Sequence, residues 1–472
     1  MSTNNTSTPI TLGIAHFNDK VGTSGGTIDV TKFGSLLEGI TAKWKQRDDG
    51  ARDGLIVFSG DFFSPSIESS ITRGRHMPPI VNALNVDIAI VGYPRTKELI
   101  ALTTFPWLLS NVIDETTGTV PEPLKEFHIL ERVGLRIGLI GLVEMCNPFI
   151  WDWIPTITGW PKEFIYQDIA EIGKKLSAKL RDPQGEYKCD LVIALTHSRI
   201  QNDIALARDL FALSPAAQAN TNIAAEHGVD IILGGHDHIY WITKGVTAWE
   251  GYDVNTPTPE DADDRGDILV VKSGYDFRDL SEVVLTLQDT PQGSIKKKVN
   301  TAITGKRHST AETTPVHIGV QEVYEVEIGT IDDALVEPIC TTEVELNVQS
   351  TFVRVHEAAI SNWVGDCLHH AYDEALAKLG YAKADGVFLN AGGLRGDRVY
   401  PPGNLTLGDL LTVLPFLDPV VVIEIYGNTL WDALESGLSK RPAQEGRFPE
   451  IAGFRVEWDI PSPFLPDEPF LS

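Results

Sequence analysis

The chain has 472 residues, room for two or three domains of ordinary size. Its 42% hydrophobic and 22% charged residues are those of a globular protein, and no apolar run approaches the ~18 residues of a membrane helix. A net charge of −26 argues against nucleic-acid backbones and anionic membranes as partners, and it obliges any phosphorylated substrate to find positive charge locally, from a metal or a few arginines.

The polar start "MSTNNTSTPI" lacks the basic and apolar regions of a signal peptide. Cys146, Cys189, Cys340 and Cys367 form no Cys-x-x-Cys pair and are expected as free thiols of a reducing compartment. A cytoplasmic location is therefore expected. From residue 10, "ITLGIAHF" alternates like a strand. In "DVTKFGSLLEGITAKW", Val30, Phe33, Leu37, Ile40 and Trp44 fall at helical spacing, with Asp29 placed to cap the start. "GLIVFSGD", "DIAIVG", "PWLLSNV", "RIGLIGLV", "DLVIALTH", "DIILGGHDH" and "DILVVKSG" follow as strands, separated by helical stretches such as "PPIVNALNV" and "NDIALARDLFAL". Near-continuous apolar strands between helices imply an α/β architecture, its sheet covered on both faces and many pairings parallel.

Residues 306–344 change character and are expected as a linker or hinge between a domain at 8–305 and a second at 345–472. In the latter, "FVRVHEAAISNWVGDCLHHAYDEAL" is expected as a helix, followed by "GVFLNAGGLRG", "LTLGDLLTVLPF" and "PVVVIEIYGNTLWDALESGL". The proline-rich end "IPSPFLPDEPFLS" is expected to lie outside any packed element.

Ligands of such sheets collect beyond the carboxyl ends of strands. There stand Asp19, Asp61, His197, His236 and His238, two carboxylates and three imidazoles from four strand ends. Singly, Asp61 reads as a turn or cap residue and His197 as a hydrogen-bonded core histidine. "GGHDH" differs: its glycines admit close backbone approach, and His-x-His aims two rings at one locus. The remaining histidines, the pair His369-His370 included, are expected to be structural or solvated. Mixed oxygen and nitrogen ligands suit zinc, manganese or iron rather than calcium. With Asp61 bridging, the five could hold two ions about 3.5–4 Å apart, an arrangement that drives water at phosphorus. No Gly-x-Ser-x-Gly elbow, Gly-x-Gly-x-x-Gly or P-loop pattern occurs, which weakens serine-hydrolase, dehydrogenase and NTPase readings.

The pieces "HFND", "FSGDFFSPS", "FPWLLSNV", "LTHSRIQND" and "GGHDH", followed by "LNAGGLRG", "LTLGDLLTVLPF" and "GRFPEIAGFRVEWD", resemble the 5'-nucleotidase family of calcineurin-like metallophosphoesterases. The resemblance covers most of residues 10–460. It implies a metallophosphoesterase β-sandwich flanked by helices, followed by a smaller, incomplete α/β nucleotide-binding domain. It implies metal-dependent hydrolysis of nucleotide phosphate monoesters in nucleotide catabolism, with two divalent ions of the zinc, manganese or iron class. Asp19, Asp61 and His238 would serve one ion; Asp61, His197 and His236 would serve the other. Asn390 and Arg395 fall where the family binds substrate, Gly392 and Gly393 where backbone approaches it. Phe416 matches the stacking aromatic, although its own sequence context reads as a core residue, and Arg354 matches a second phosphate-facing arginine. Arg395 also makes sense independently, because a guanidinium grips phosphate in a two-pronged fork.

Three departures stand out. The family's Gly-Asn-His-Asp-type motif, source of a metal ligand and a catalytic histidine, is absent where Gly92 runs directly into Tyr93. Lys20 and Val21 follow Asp19 where many relatives carry Asp-x-His. The chain stops at Ser472 without the family's Gly-Gly-Asp-Gly segment and its second stacking aromatic. An active hydrolase, a silent relative that binds metal or nucleotide, and the product of a faulty gene model are the readings these departures leave open.

Overall fold

The computed structural model describes residues 9–18, 30–60, 72, 74–91, 97–144, 163–259, 262–416, 420–443 and 446–458. The chain divides into two compact units, 1–333 and 334–472.

Among the described residues, the first unit holds fifteen strands. These are β1 (Ile10–Phe17), β2 (Leu55–Gly60), β3 (Ile88–Val91), β4 (Trp107–Leu108), β5 (Val112–Asp114), β6 (Phe127–Arg132), β7 (Leu135–Val143) and β8 (Phe164–Tyr166). They continue as β9 (Leu191–His197), β10 (Ile231–Gly235), β11 (Tyr240–Ile242), β12 (Ala248–Glu250), β13 (Val270–Ser273), β14 (Asp279–Asp289) and β15 (Lys298–Ser309). Seven form one sheet in the order β12-β15-β14-β1-β2-β3-β4, and six form another in the order β11-β13-β10-β9-β7-β6. The runs β1-β2-β3-β4 and β13-β10-β9-β7 are parallel. Parallel neighbours bring their carboxyl ends to one edge.

Side-chain alternation shows why the near-continuous apolar strands form a sandwich. Along β9, Leu191, Ile193 and Leu195 join Leu12, Ile14, Leu55, Val57, Ile88 and Ile90 of the other sheet in one core. The intervening Val192 and Ala194 pack instead with Leu176, Leu180, Ile204 and Ala207 from the helices Ile169–Arg181 and Ile200–Asp209. The helix Val30–Thr41 buries Val30, Phe33, Leu37 and Ile40, with Phe33 edge-on to Phe17 at 5.0 Å. Trp44, read from spacing as part of that stripe, lies beyond the helix; its ring packs against Gly13 and Gly54, where a Cβ would come within 2.4 Å of it.

Polar side chains also bridge the sheets. His16 Nδ1 on β1 bonds Ser273 Oγ on β13 at 2.7 Å, and that hydroxyl donates to Ser281 Oγ on β14 at 2.8 Å. Ser281 Oγ donates to the Tyr240 hydroxyl on β11 at 3.0 Å, which also accepts from Trp249 Nε1 on β12 at 3.0 Å. Ser273 commits its only proton to Ser281, so His16 Nδ1 is a donor. Burial, helped by the charge of Lys272, holds the His16 pKa down to about 3. Separately, Ser59 Oγ on β2 donates to Leu233 O on β10 at 2.9 Å.

The expected linker at 306–344 holds the end of β15 and an 18-residue helix, Ile318–Leu335, and the units meet at 333/334. The second unit contains β16 (Pro338–Thr342), β17 (Leu346–Asn347), β18 (Val387–Asn390), β19 (Val399–Tyr400), β20 (Gly403–Thr406) and β21 (Pro449–Ala452). They pair as β16-β20, β17-β19 and β18-β21. The helix expected over 352–376 is interrupted: Ser350–Val353 is a single turn, and Ala359–Leu379 begins afresh. Leu346, Val353, Ile360, Val364, Leu394 and Leu405 form the unit's own core. Thr406 caps the helix Leu407–Val413 through a reciprocal box with Asp409. Of the stretch "PVVVIEIYGNTLWDALESGL", Gly427–Leu438 is helical, while residues 420–426 are exposed and take no regular form.

Candidate active site

Hydrogen-bonded register puts the candidate histidines side by side. His197 ends β9 opposite Gly235, the last residue of β10, and His236 and His238 follow at once. His236 Nδ1 lies 3.4 Å from His197 Nε2, with the rings 5.0 Å apart and inclined at 78°. That gap exceeds a good N–H···N bond. Imidazole nitrogens about 2.0–2.1 Å from one tetrahedral ion would stand about 3.4 Å apart, so the pair fits a shared metal. His238 lies beside Tyr275, ring centres 6.0 Å apart, and its buried Nε2 has no hydrogen-bond partner among the described residues. Such a nitrogen is available to accept a metal ion or a hydrogen bond.

His236 and His238 both take left-handed backbone, with φ of +84° and +52°. For a non-glycine residue this conformation costs on the order of 1–3 kcal/mol and concentrates at functional sites. Gly234, two residues before His236, serves close approach. A Cβ on Gly234 would lie 2.6 Å from Asp203 Oδ2 and 3.0 Å from Thr196 Oγ1.

Sequence reasoning missed what stands behind this loop. Lys272 on β13 is fully buried, and its ammonium donates to Gly235 O at 2.6 Å and Ser198 O at 2.8 Å. It pairs at 2.8 Å with Asp203 of the Ile200–Asp209 helix and at 2.8 Å with Asp237, the residue between the two loop histidines. Burial works against the ammonium, but Asp203 and Asp237 outweigh it and hold Lys272 above the ordinary lysine value. Burial drives the Asp203 carboxyl up to about 6 against the pull of Lys272. A lysine ending the apolar run "DILVVK" and an aspartate on the buried face of a helix were the available signals. The next residues of β13 reach the end of β1: Ser273 N donates to Asn18 Oδ1, and Asn18 Nδ2 to Gly274 O, each at 2.6 Å.

Asp19 and Asp61 lie outside the described residues, as does the junction of Gly92 and Tyr93. Among the described residues, no group of three or more histidine, cysteine or carboxylate side chains could hold a metal.

In the second unit, Asn390 closes β18 and donates through Nδ2 to Gly446 O at 3.2 Å. Gly392 N donates to the same carbonyl at 2.8 Å, and a Cβ on Gly392 would lie 3.0 Å from Gly446 Cα, so the glycine serves a backbone crossing. A Cβ on Gly393 would meet nothing within 4 Å. Arg395 is tied by its backbone to Val413 O at 2.8 Å, and its guanidinium lies 5.1 Å from the centre of the Phe416 ring. Phe416 is half-buried, unlike the core aromatic its sequence suggested. Burial first, and then the charge of Arg354, lower the Arg395 pKa, so two guanidinium groups share one neighbourhood. Arg354 caps the Ser350–Val353 turn.

Residues 338–464 match the family profile of the 5'-nucleotidase C-terminal domain. The snake venom 5'-nucleotidase of Gloydius brevicauda is 23% identical over 429 residues, 86% of this chain. A trifunctional nucleotide phosphoesterase of Bacillus subtilis is 26% identical over 386 residues, 81% of this chain. The chain spans 65% and 22% of the lengths of these curated relatives. The crystal structure of the 5'-nucleotidase precursor from Thermus thermophilus superposes with a TM-score of 0.59 at 20% identity, covering 94% of this chain and 81% of that one. That likeness establishes a common fold, and the profile ties residues 338–464 to the C-terminal domain of 5'-nucleotidases. Residues 338–464 thus carry the 5'-nucleotidase C-terminal domain, and the chain as a whole is similar to 5'-nucleotidases.

Proposed function

We propose that the protein hydrolyses the phosphate monoester of nucleotides in a metal-dependent reaction of nucleotide catabolism. The approach of His197 Nε2 to His236 Nδ1 carries this reading. His197 and His236, with Asp61, would hold one divalent ion of the zinc, manganese or iron class, and His238, with Asp19 and Asp61, a second. When bound, such ions activate water and neutralise charge on phosphorus.

The chain's own groups do the rest. The backbone of His197 is fixed by strand pairing on both sides, to Val143 and to Gly235. Arg395 would grip the phosphate and offset an acidic surface, Arg354 adding a second positive charge. Phe416 would stack on the base, and the open space at Gly393 and the Asn390 side chain would receive the nucleoside. Phosphate release from nucleoside monophosphates, measured with added Mn²⁺ or Zn²⁺, should be abolished in His236→Ala; equal rates would refute the proposal.

A further inference from the structure

We propose that Lys272 is a positioning residue: its ammonium locks the ends of β9 and β10 together at the spacing a shared divalent ion requires. The inference rests on the metal-dependent reading above and adds a residue to it. Its basis is the partner set. Two partners are main-chain carbonyls on either side of the histidine pair, Ser198 O directly after His197 and Gly235 O directly before His236. A third is the carboxylate of Asp237, between His236 and His238. The fourth, Asp203, anchors the ammonium to the helix behind. One cation thus touches both neighbours of His236 and the residue after His197, while Ser273 and Gly274 fasten the end of β1 through Asn18.

The same strand supplies a control. At the other end of β10, Asp230 pairs with Lys296, a second fully buried lysine, at 3.2 Å. Lys296 also donates to Val229 O at 2.8 Å and Phe211 O at 3.2 Å, and Asp230 pairs with Arg181. The chemistry is the same, and no candidate ligand is involved. A lysine that merely supports the fold should behave like Lys296; one that sets ligand geometry should not.

Metal-free full-length chain would be titrated with Co²⁺ alone, following affinity by calorimetry and coordination by visible absorption. Lys272→Met and Asp237→Asn should each weaken Co²⁺ binding by about 10- to 100-fold, as expected for partners that orient ligands, and shift the absorption bands. Lys296→Met should lower thermal stability yet leave affinity and spectrum as in the wild type. Wild-type affinity and spectrum in Lys272→Met would overturn the inference. If that variant does not fold, Asp237→Asn decides alone, because Asp237 is only partly buried and the change keeps its volume; unchanged binding there overturns the inference equally. A wild-type chain that takes up no Co²⁺ would instead overturn the metal-dependent reading itself.

Discussion

Adding one methyl group at Gly234 tests how tightly the loop is packed against its support. The Cβ of Gly234→Ala would lie 2.6 Å from Asp203 Oδ2, 3.0 Å from Thr196 Oγ1 and 3.2 Å from Lys272 Nζ. Ordinary contact begins near 3.4 Å, so the carboxylate must retreat by 3.4 − 2.6 = 0.8 Å. Asp203 is fully buried and pairs with Lys272 at 2.8 Å, so the retreat lengthens that ion pair. A surplus methyl in a packed core costs about 1–3 kcal/mol, and losing one member of a buried pair about 3–5 kcal/mol. Stretching without breaking falls between, at about 2–4 kcal/mol. Urea unfolding of the first unit reads this directly, with an unchanged slope showing that stability alone has moved. Gly39→Ala is the control: Gly39 is exposed on the Val30–Thr41 helix, its Cβ would meet nothing within 4 Å, and the change should stabilise by about 0.8–1 kcal/mol. Hydrolysis should fall in Gly234→Ala and hold in Gly39→Ala. A Gly234→Ala chain with the wild-type midpoint would refute the close packing deduced here.

The remaining expectations concern pH and the second unit. His16 has a folded pKa of about 3 against an ordinary value near 6.5, so the unfolded chain binds the extra proton between them. Its contribution is present above pH 6.5 and lost as pH falls toward 3, by about 1.4 kcal/mol per unit; His16→Asn should flatten the acid limb of a urea-midpoint profile, and an unflattened limb would rule the assignment out. Glu450 behaves oppositely. Burial first, then Glu357, push its carboxyl up to about 8, so the second unit loses stability as pH rises from about 4.5 to 8. Calorimetry of Glu450→Gln should show that loss removed. For Arg395→Ala, a forfeited charged hydrogen bond of about 1.5–3 kcal/mol predicts a roughly 10- to 100-fold fall in kcat/KM for nucleotides. Phe416→Ala should raise KM about 2- to 10-fold with kcat held, the signature of lost stacking that is uniform along the reaction.

Strands and helices with strong local pattern were legible from sequence because burial writes itself at a period of two or near four. Leu191, Ile193 and Leu195 fill one core and Val192 and Ala194 the other, so β9 reads as an unbroken apolar run. Trp44 shows the limit. Its spacing continued the helical stripe, but Gly13 and Gly54, distant in sequence, provide the flat surface that receives it. The stretch 352–376 was read as one helix because no proline or glycine marks the interruption before Ala359. At the candidate site, His197, His236 and His238 stand out by residue type and strand-end position, and the fold brings His197 and His236 together. Lys272 did not, because what defines its role is four partners at positions 198, 203, 235 and 237, gathered only by folding.

The polar bridges between the sheets have a further consequence. The expected ligands come from both layers: Asp19 and Asp61 follow strands of the seven-stranded sheet, and the histidines follow strands of the six-stranded one. Oily faces would tolerate one layer gliding over the other, since a methyl finds a new neighbour at little cost. Hydroxyls do not glide. Ser59 on Leu233 O, and the relay from His16 through Ser273 and Ser281 to Tyr240, weaken once displaced by about 0.5 Å, which is also the tolerance of a working constellation. These few serines act as alignment pins, and the precision with which two slabs of protein meet becomes the precision of the chemistry at their shared rim.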